Sequence, residues 1–321
     1  MRVIDLHCDT LWRLSRPDGL WGHRGDLTEN PYGVDVNRLE KADALVQAFA
    51  VFFMTARCRA SCGKRGPTGW HGAESRRTGG GFRREGYSRS GLMRVDFCER
   101  YGCVGSLLTL EDGVPFGNDL DRLREFYDLG VRLVTLTWNY ENAIGFPNSS
   151  DATTMTRGLK PFGREALEEM NRLGILVDVS HLSDGGFWDV ARLSKKPFIA
   201  SHSNARAVTD HPRNLTDRMI RTIAEKGGVV GLNFCPSFLS DRKVSTINGM
   251  LRHVHHIYQV GGEDVLALGS DLDGVSGKLQ IKSCDQIGLL AEALKRHKMS
   301  HRVLEKMWSG NAQRVLREVL R

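Results

Sequence analysis

At 321 residues, 40% hydrophobic and 26% charged, the chain has the composition of an ordinary globular protein and can bury a large core, as one big α/β barrel or two domains. No apolar run approaches the roughly 18–20 residues that span a bilayer, and the N-terminus lacks a charged leader with an apolar stretch and cleavage site, so a cytoplasmic protein without membrane contact is expected. The net charge of +7 does not mark a nucleic-acid binder, because residues 55–100 alone hold eleven Lys/Arg against four Asp/Glu and leave the remaining chain neutral.

The first predicted strand is Val3–Leu6, and "DLHCDT" (Asp5–Thr10) overlaps its end. Alternate side chains of a strand share a face, so His7 and Asp9 point one way together and Cys8 points into the core. Two such groups are half of a metal site. A second strand is expected at Ala44–Phe53.

Residues 55–100 break the pattern. Nine glycines and eleven basic residues accompany only Phe82, Leu92, Val95 and Phe97 from the Val/Ile/Leu/Phe set, too little apolar area to offset the entropy of ordering. Three readings compete: a disordered insertion, an Arg/Gly-rich nucleic-acid-binding segment, or a wrong reading frame between two compensating shifts. The few aromatics disfavour the second. Cys58, Cys62, Cys98 and Cys103 have spacings too loose for a zinc knuckle, and seven cysteines do not suggest a disulfide framework.

From residue 104 strands and helices alternate. Strands are predicted at Val104–Leu110, Val131–Thr137, Ile175–Ser180, Phe198–Ser201, Val229–Phe234 and Val265–Gly269. Helices are predicted at Asp119–Leu129 and Gly163–Leu173, each followed by a capping glycine, and at Asp184–Leu193, Thr216–Lys226, Ile247–Val260, Asp285–His297, His301–Met307 and Ala312–Leu320. With the two N-terminal strands this makes eight β/α units, which predicts a single (β/α)8 TIM barrel over residues 1–321, interrupted by the anomalous 55–100 segment.

Barrel enzymes build their sites at the C-terminal ends of the strands. There the sequence places His7 and Asp9, then Glu111, His181, His202 and Asp271, from five separate strands. A lone histidine at a strand end is more often a cap or a satisfied core group; five convergent strand ends point to a metal. Three imidazoles and three carboxylates suit a pair of zinc ions about 3.5 Å apart, with manganese or cobalt as substitutes, that share a bridging carboxylate and a bridging water.

"DLHCDT", "LTLEDG", "DVSHLSD", "ASHSNARAVTDHPRNLTD" and "LGSDLDG" resemble the membrane (renal) dipeptidase family of dinuclear zinc peptidases, in its cytoplasmic bacterial form. The resemblance implies a metal-dependent hydrolase that cleaves dipeptides through a zinc-bridging hydroxide. It implies one zinc on His7 and Asp9, the other on His181 and His202, and Glu111 bridging them. Asp271 becomes the proton shuttle, and Arg213 the group holding the substrate's C-terminal carboxylate. A dipeptide is the expected partner, and a homodimer is compatible. Two alternatives remain: another binuclear amidohydrolase, and a metal-binding scaffold whose catalysis the 55–100 segment impairs.

In one respect the sequence departs from the family: Trp138 stands where better-known members carry a substrate-contacting histidine. Asn139, Tyr140 and Asn142 are candidates for contacting the oxyanion instead. The "HVHH" group of His253, His255 and His256 reads as a solvated helix face, and Trp308 as part of a helix cap before the closing helix.

Overall fold

The computed structural model describes residues 1–15, 25–53 and 103–320; the anomalous 55–100 segment lies outside them. Seven parallel strands form a curled sheet in the order β5-β4-β3-β2-β1-β8-β6. They are β1 (Val3–Asp5), β2 (Ala44–Phe52), β3 (Gly105–Glu111), β4 (Val131–Thr135), β5 (Leu176–Asp178), β6 (Val230–Leu232) and β8 (Leu266–Leu268). A separate two-stranded ladder pairs β7 (Val244–Ser245) with β9 (Lys278–Leu279).

The predicted strand at 198–201 is reduced to two parallel bridges, Asp178↔Ile199 and Ala200↔Val230. Those bridges join β5 to β6 and close the ring, so the fold is the expected (β/α)8 barrel. The reason no ladder forms is chemical. Ser201 donates its backbone N–H to the Asp178 side chain at 2.8 Å, and His202 donates its own to Ser180 Oγ at 3.1 Å. Side chains have taken the donors that a longer ladder would use. The same device recurs where β8 ends beside β1: the Ser270 N–H goes to Asp5 Oδ1 at 2.8 Å.

Inward-pointing residues Ile4, Leu6, Val46, Ala48, Leu107, Leu133, Leu176, Ile199 and Ala267 fill the barrel. Each large aliphatic among them contributes roughly 1.5–3 kcal/mol of burial. Val315, Leu316 and Val319 of the last helix, Asn311–Val319, join that cluster. Asn311 Nδ2 donates to Leu266 O at 2.9 Å, which fixes this helix against the N-terminal end of β8. The opposite end of the ring is left for the site.

The outer helices follow their sequence signals. Pro161–Leu173 has proline in its first turn, a buried stripe of Phe162, Ala166, Leu167 and Met170, and Gly174 at φ +82° as its left-handed stop. Two expectations need correction. Trp308 is no cap: a π-helical turn, Lys306–Gly310, carries His301–Glu305 directly into the last helix, and Trp308 is buried there. His253 is not on a solvated face but fully buried, three residues after Met250 and four before Ile257 on the inner stripe of helix Ile247–Gly261. Its Nδ1 accepts from Ala205 N at 3.1 Å, and its Nε2 faces Leu239 O at 3.2 Å. His256 is half-exposed and pairs with Asp217 at 2.7 Å.

Candidate metal centre

All six predicted ligating or shuttling groups meet at the C-terminal mouth of the barrel. Glu111 Oε1 is the hub, 3.2 Å from His181 Nε2, 3.6 Å from His202 Nε2 and 3.8 Å from His7 Nε2. His7 Nε2 also lies 3.6 Å from Asp9 Oδ2 and 4.0 Å from Asp271 Oδ1. Ligand atoms of His7, Glu111 and His202 lie within 4.8 Å of one another, as do those of His7, Asp9 and Asp271. His7 and His202 stack at 3.9 Å between ring centroids.

The backbone is bent to achieve this. His181 and Asp271 adopt φ of +66° and +59°, a left-handed conformation that costs a non-glycine residue about 1–3 kcal/mol. Gly274 sits directly behind Asp9 and Asp271, where a Cβ would collide with Asp9 Oδ2 and Asp271 Oδ1. The "DLDG" run thus needs glycine at its last position.

Hydrogen bonds fix the imidazole tautomers. Ser201 Oγ donates to Asp178 Oδ2 at 2.6 Å, and a hydroxyl has one proton. It therefore accepts from His202 Nδ1 at 2.7 Å, which leaves His202 Nε2 with a lone pair. Asn139 Oδ1, 3.1 Å from His181 Nδ1, does the same for His181. The two Nε2 lone pairs then face each other at 3.1 Å, with the Glu111 carboxylate beside both. His7 is 1% exposed, and among the described residues neither ring nitrogen has a hydrogen-bond partner. Three lone-pair donors converging without a proton between them repel unless a cation sits among them, so the donor set fits a divalent metal.

The electrostatics agree. Burial holds His181 and His202 well below the usual imidazole range, reinforced by the positive charges of Arg213 and His7; neutral imidazole is the ligating form. Burial raises Glu111 well above the usual carboxylate range, with Asp9 adding repulsion. Burial likewise raises Asp271 to about 6, against the opposing pull of His7. For His7, burial acts downward, but Glu111, Asp9 and Asp271 together outweigh it and push the ring to about 10. The field at this point calls for positive charge, which a proton or a metal ion supplies.

Arg213 stands beside this cluster, 6% exposed. It donates from Nη2 to His202 O at 3.2 Å and from Nη1 to Ser203 Oγ at 3.3 Å, while its buried Nε has no partner among the described residues. A buried guanidinium with a donor unused is suited to a carboxylate supplied from outside.

Several supporting residues were not singled out from the sequence. Asn233, just past β6, donates to Asp271 Oδ2 at 2.8 Å and to His202 O at 3.1 Å. Its position at a strand end was a legible signal. Asp178 and Ser201 orient His202 and were hidden, because nothing in the sequence pairs them. Asn139 turns out to orient His181, whereas Asn142 is a loop tie, bonding Asp112 at 2.7 Å and Leu136 O at 2.8 Å.

The chain matches the family profile described as membrane dipeptidase (peptidase family M19) over residues 91–321. Among curated relatives, an uncharacterized protein in the pqqA 5′ region of Klebsiella pneumoniae is 34% identical over 238 residues, 70% of this chain and 86% of that protein. Dipeptidase tcpJ of Claviceps purpurea is 34% identical over 222 residues, covering 68% of this chain but 52% of that protein. The chain thus spans about half the length of that fungal relative. A metallopeptidase from Rhodobacter sphaeroides, solved with a phosphinate mimic of the dipeptide L-Ala-D-Ala, superposes with a TM-score of 0.81 at 27% identity, covering 99% of each chain.

Proposed function

The chain belongs to the membrane dipeptidase family, a family of metal-dependent hydrolases, and from that premise we propose that it cleaves the peptide bond of small dipeptides with two zinc ions held at the barrel mouth. The observation that carries the proposal is the convergence of lone pairs from His181, His202 and Glu111 beside a buried arginine with a donor unused. We assign His7 and Asp9 to one ion, His181 and His202 to the other, and Glu111 to both. Zinc suits this mixed imidazole–carboxylate set, and manganese or cobalt can replace it. Bound there, such ions supply Lewis acidity for the peptide carbonyl and lower the pKa of a water toward 7.

The remaining chemistry belongs to the chain itself. Arg213 takes the C-terminal carboxylate of the substrate in two parallel hydrogen bonds, using the buried Nε that otherwise lacks a partner. That clamp sets the distance to the scissile bond at one residue and so selects dipeptides. Asp271 accepts the proton of the attacking water and passes it to the leaving amine. Asn233 holds the Oδ2 of Asp271 and leaves Oδ1 toward the centre, and the raised proton affinity of the carboxyl suits it to both halves of the transfer. Ser201, Asp178 and Asn139 keep the imidazoles in the ligating tautomer.

The test is hydrolysis of a mixed panel of L,L- and L,D-dipeptides by zinc-loaded protein, with and without chelator. Chelator-sensitive release of free amino acids supports the reading. Cleavage of cyclic amides or esters in preference to any dipeptide would replace it with the broader amidohydrolase alternative.

A further inference from the structure

Phe52 is the parallel-ladder partner of Glu111, so it stands at the height of the central carboxylate, at the end of β2. Its ring meets Trp138 edge to face, with centroids 4.5 Å apart. Trp138 in turn lies 6.0 Å from Tyr140 and 6.4 Å from the ring of His181. All three aromatic side chains are only half-buried, although rings of this size usually sink into a core or an interface. They form an aromatic shelf beside a cluster that is otherwise polar.

The shelf and the arginine occupy different parts of the ring. Phe52 ends β2 and Trp138 follows β4, flanking the Glu111 strand, whereas Arg213 follows the 198–201 segment beyond β5. A dipeptide whose C-terminal carboxylate is held by Arg213 must cross the donor cluster to place its scissile bond there. Its N-terminal residue then extends toward the β2–β4 side.

We propose that Phe52, Trp138 and Tyr140 form the subsite for the N-terminal side chain of the dipeptide and select an apolar one there. This rests on the dipeptidase reading. Among the described residues the shelf offers ring faces and no ionised side chain of its own, so it favours removal of apolar side-chain area from water over burial of a carboxylate.

The test uses non-hydrolysable reduced-amide dipeptides with a constant C-terminal alanine and N-terminal Ala, Leu or Asp, titrated calorimetrically into zinc-loaded protein, alongside kcat/KM for the matching dipeptides. The Leu analogue is expected to bind about tenfold more tightly than the Ala analogue, with Asp weakest. Trp138→Ala and Phe52→Ala should each collapse the Leu/Ala ratio toward one, while Trp138→Phe, which keeps a ring face, should retain most of it. A ratio near one in the wild type, or one that survives in both alanine variants, overturns the shelf. Side-chain-selective binding with no cleavage refutes the dipeptidase reading and leaves the shelf standing. Cleavage without N-terminal preference does the reverse, and neither binding nor cleavage removes both.

Discussion

Ser201 gives its hydroxyl proton to Asp178 at 2.6 Å, and that single bond determines which nitrogen of the neighbouring His202 faces the centre. The arrangement has a counterpart across the barrel. Ser270 donates its hydroxyl to Asp5 Oδ2 at 2.6 Å and its N–H to Oδ1 at 2.8 Å, and Asp5 and Ser270 directly precede strand-end residues that lead into His7 and Asp271. Two buried Asp–Ser pairs thus anchor four of the chain segments that carry the donors.

Ser201→Ala should therefore weaken the centre without unfolding the barrel. With no hydroxyl to accept from Nδ1, His202 loses its tautomer preference, and zinc affinity should fall roughly 10–100-fold. Competition against a chelator of known affinity measures it. Unchanged affinity would show that the hydroxyl does not set the tautomer.

Asp271→Asn keeps the Asn233 side of the contact in place but removes the proton acceptor. We expect kcat to fall roughly 10²–10⁴-fold with KM little changed. Metal content measured on the same sample separates the proton role from loss of a ligand: a variant that retains zinc and full kcat excludes Asp271 as the shuttle.

Arg213→Ala should distinguish substrates by their C-terminus. For dipeptides with a free carboxylate, kcat/KM should drop on the order of 10²-fold or more, the loss expected when a buried charge pair loses one member. Dipeptide amides, which have no charge to present, should be poor substrates of wild type and variant alike. Equal losses on acids and amides would contradict the clamp.

Gly274→Ala tests the close packing behind the site. The added Cβ has no room beside the carboxylates of Asp9 and Asp271, so these must move, and zinc affinity should fall about tenfold or more while the barrel still folds. A variant with wild-type affinity would mean that the loop yields without disturbing either carboxylate.

His253 predicts a pH effect on stability that is separate from catalysis. Burial drives its pKa down to about 4, although Leu239 O pulls the other way, and its Nδ1 must stay unprotonated to accept the Ala205 N–H. Between an unfolded value near 6.5 and the folded value, the unfolded chain binds the extra proton. Stability is full above about pH 6.5 and is lost as pH falls toward 4, by about 3 kcal/mol at most. Denaturant midpoints of wild type and His253→Asn should converge as pH falls through this window; parallel curves would sink the assignment.

The sequence made the barrel and its six central donors legible because both rest on local patterns: strand–helix alternation, and reactive residues at strand ends. What stayed hidden depends on partners distant in the chain. The 198–201 segment reads as a strand like its neighbours, yet Asp178 and Ser180 claim the N–H groups of Ser201 and His202 from the ladder. A histidine in "HVHH" suggests a solvated face, although the spacing of His253 from Met250 and Ile257 places it on the apolar stripe. Trp138 stands out in the sequence as a departure, but its contact with Phe52, 86 residues earlier, is not encoded in either local stretch.

If two metal ions at the barrel mouth make this chain a dipeptidase, activity must track their binding in a zinc titration of metal-stripped protein. Bound zinc and release of amino acids from a dipeptide are measured on the same samples. Hydrolysis should develop as occupancy approaches two ions per chain and disappear again with chelator. Folded protein that binds two zinc ions and cleaves no dipeptide in the panel would contradict it.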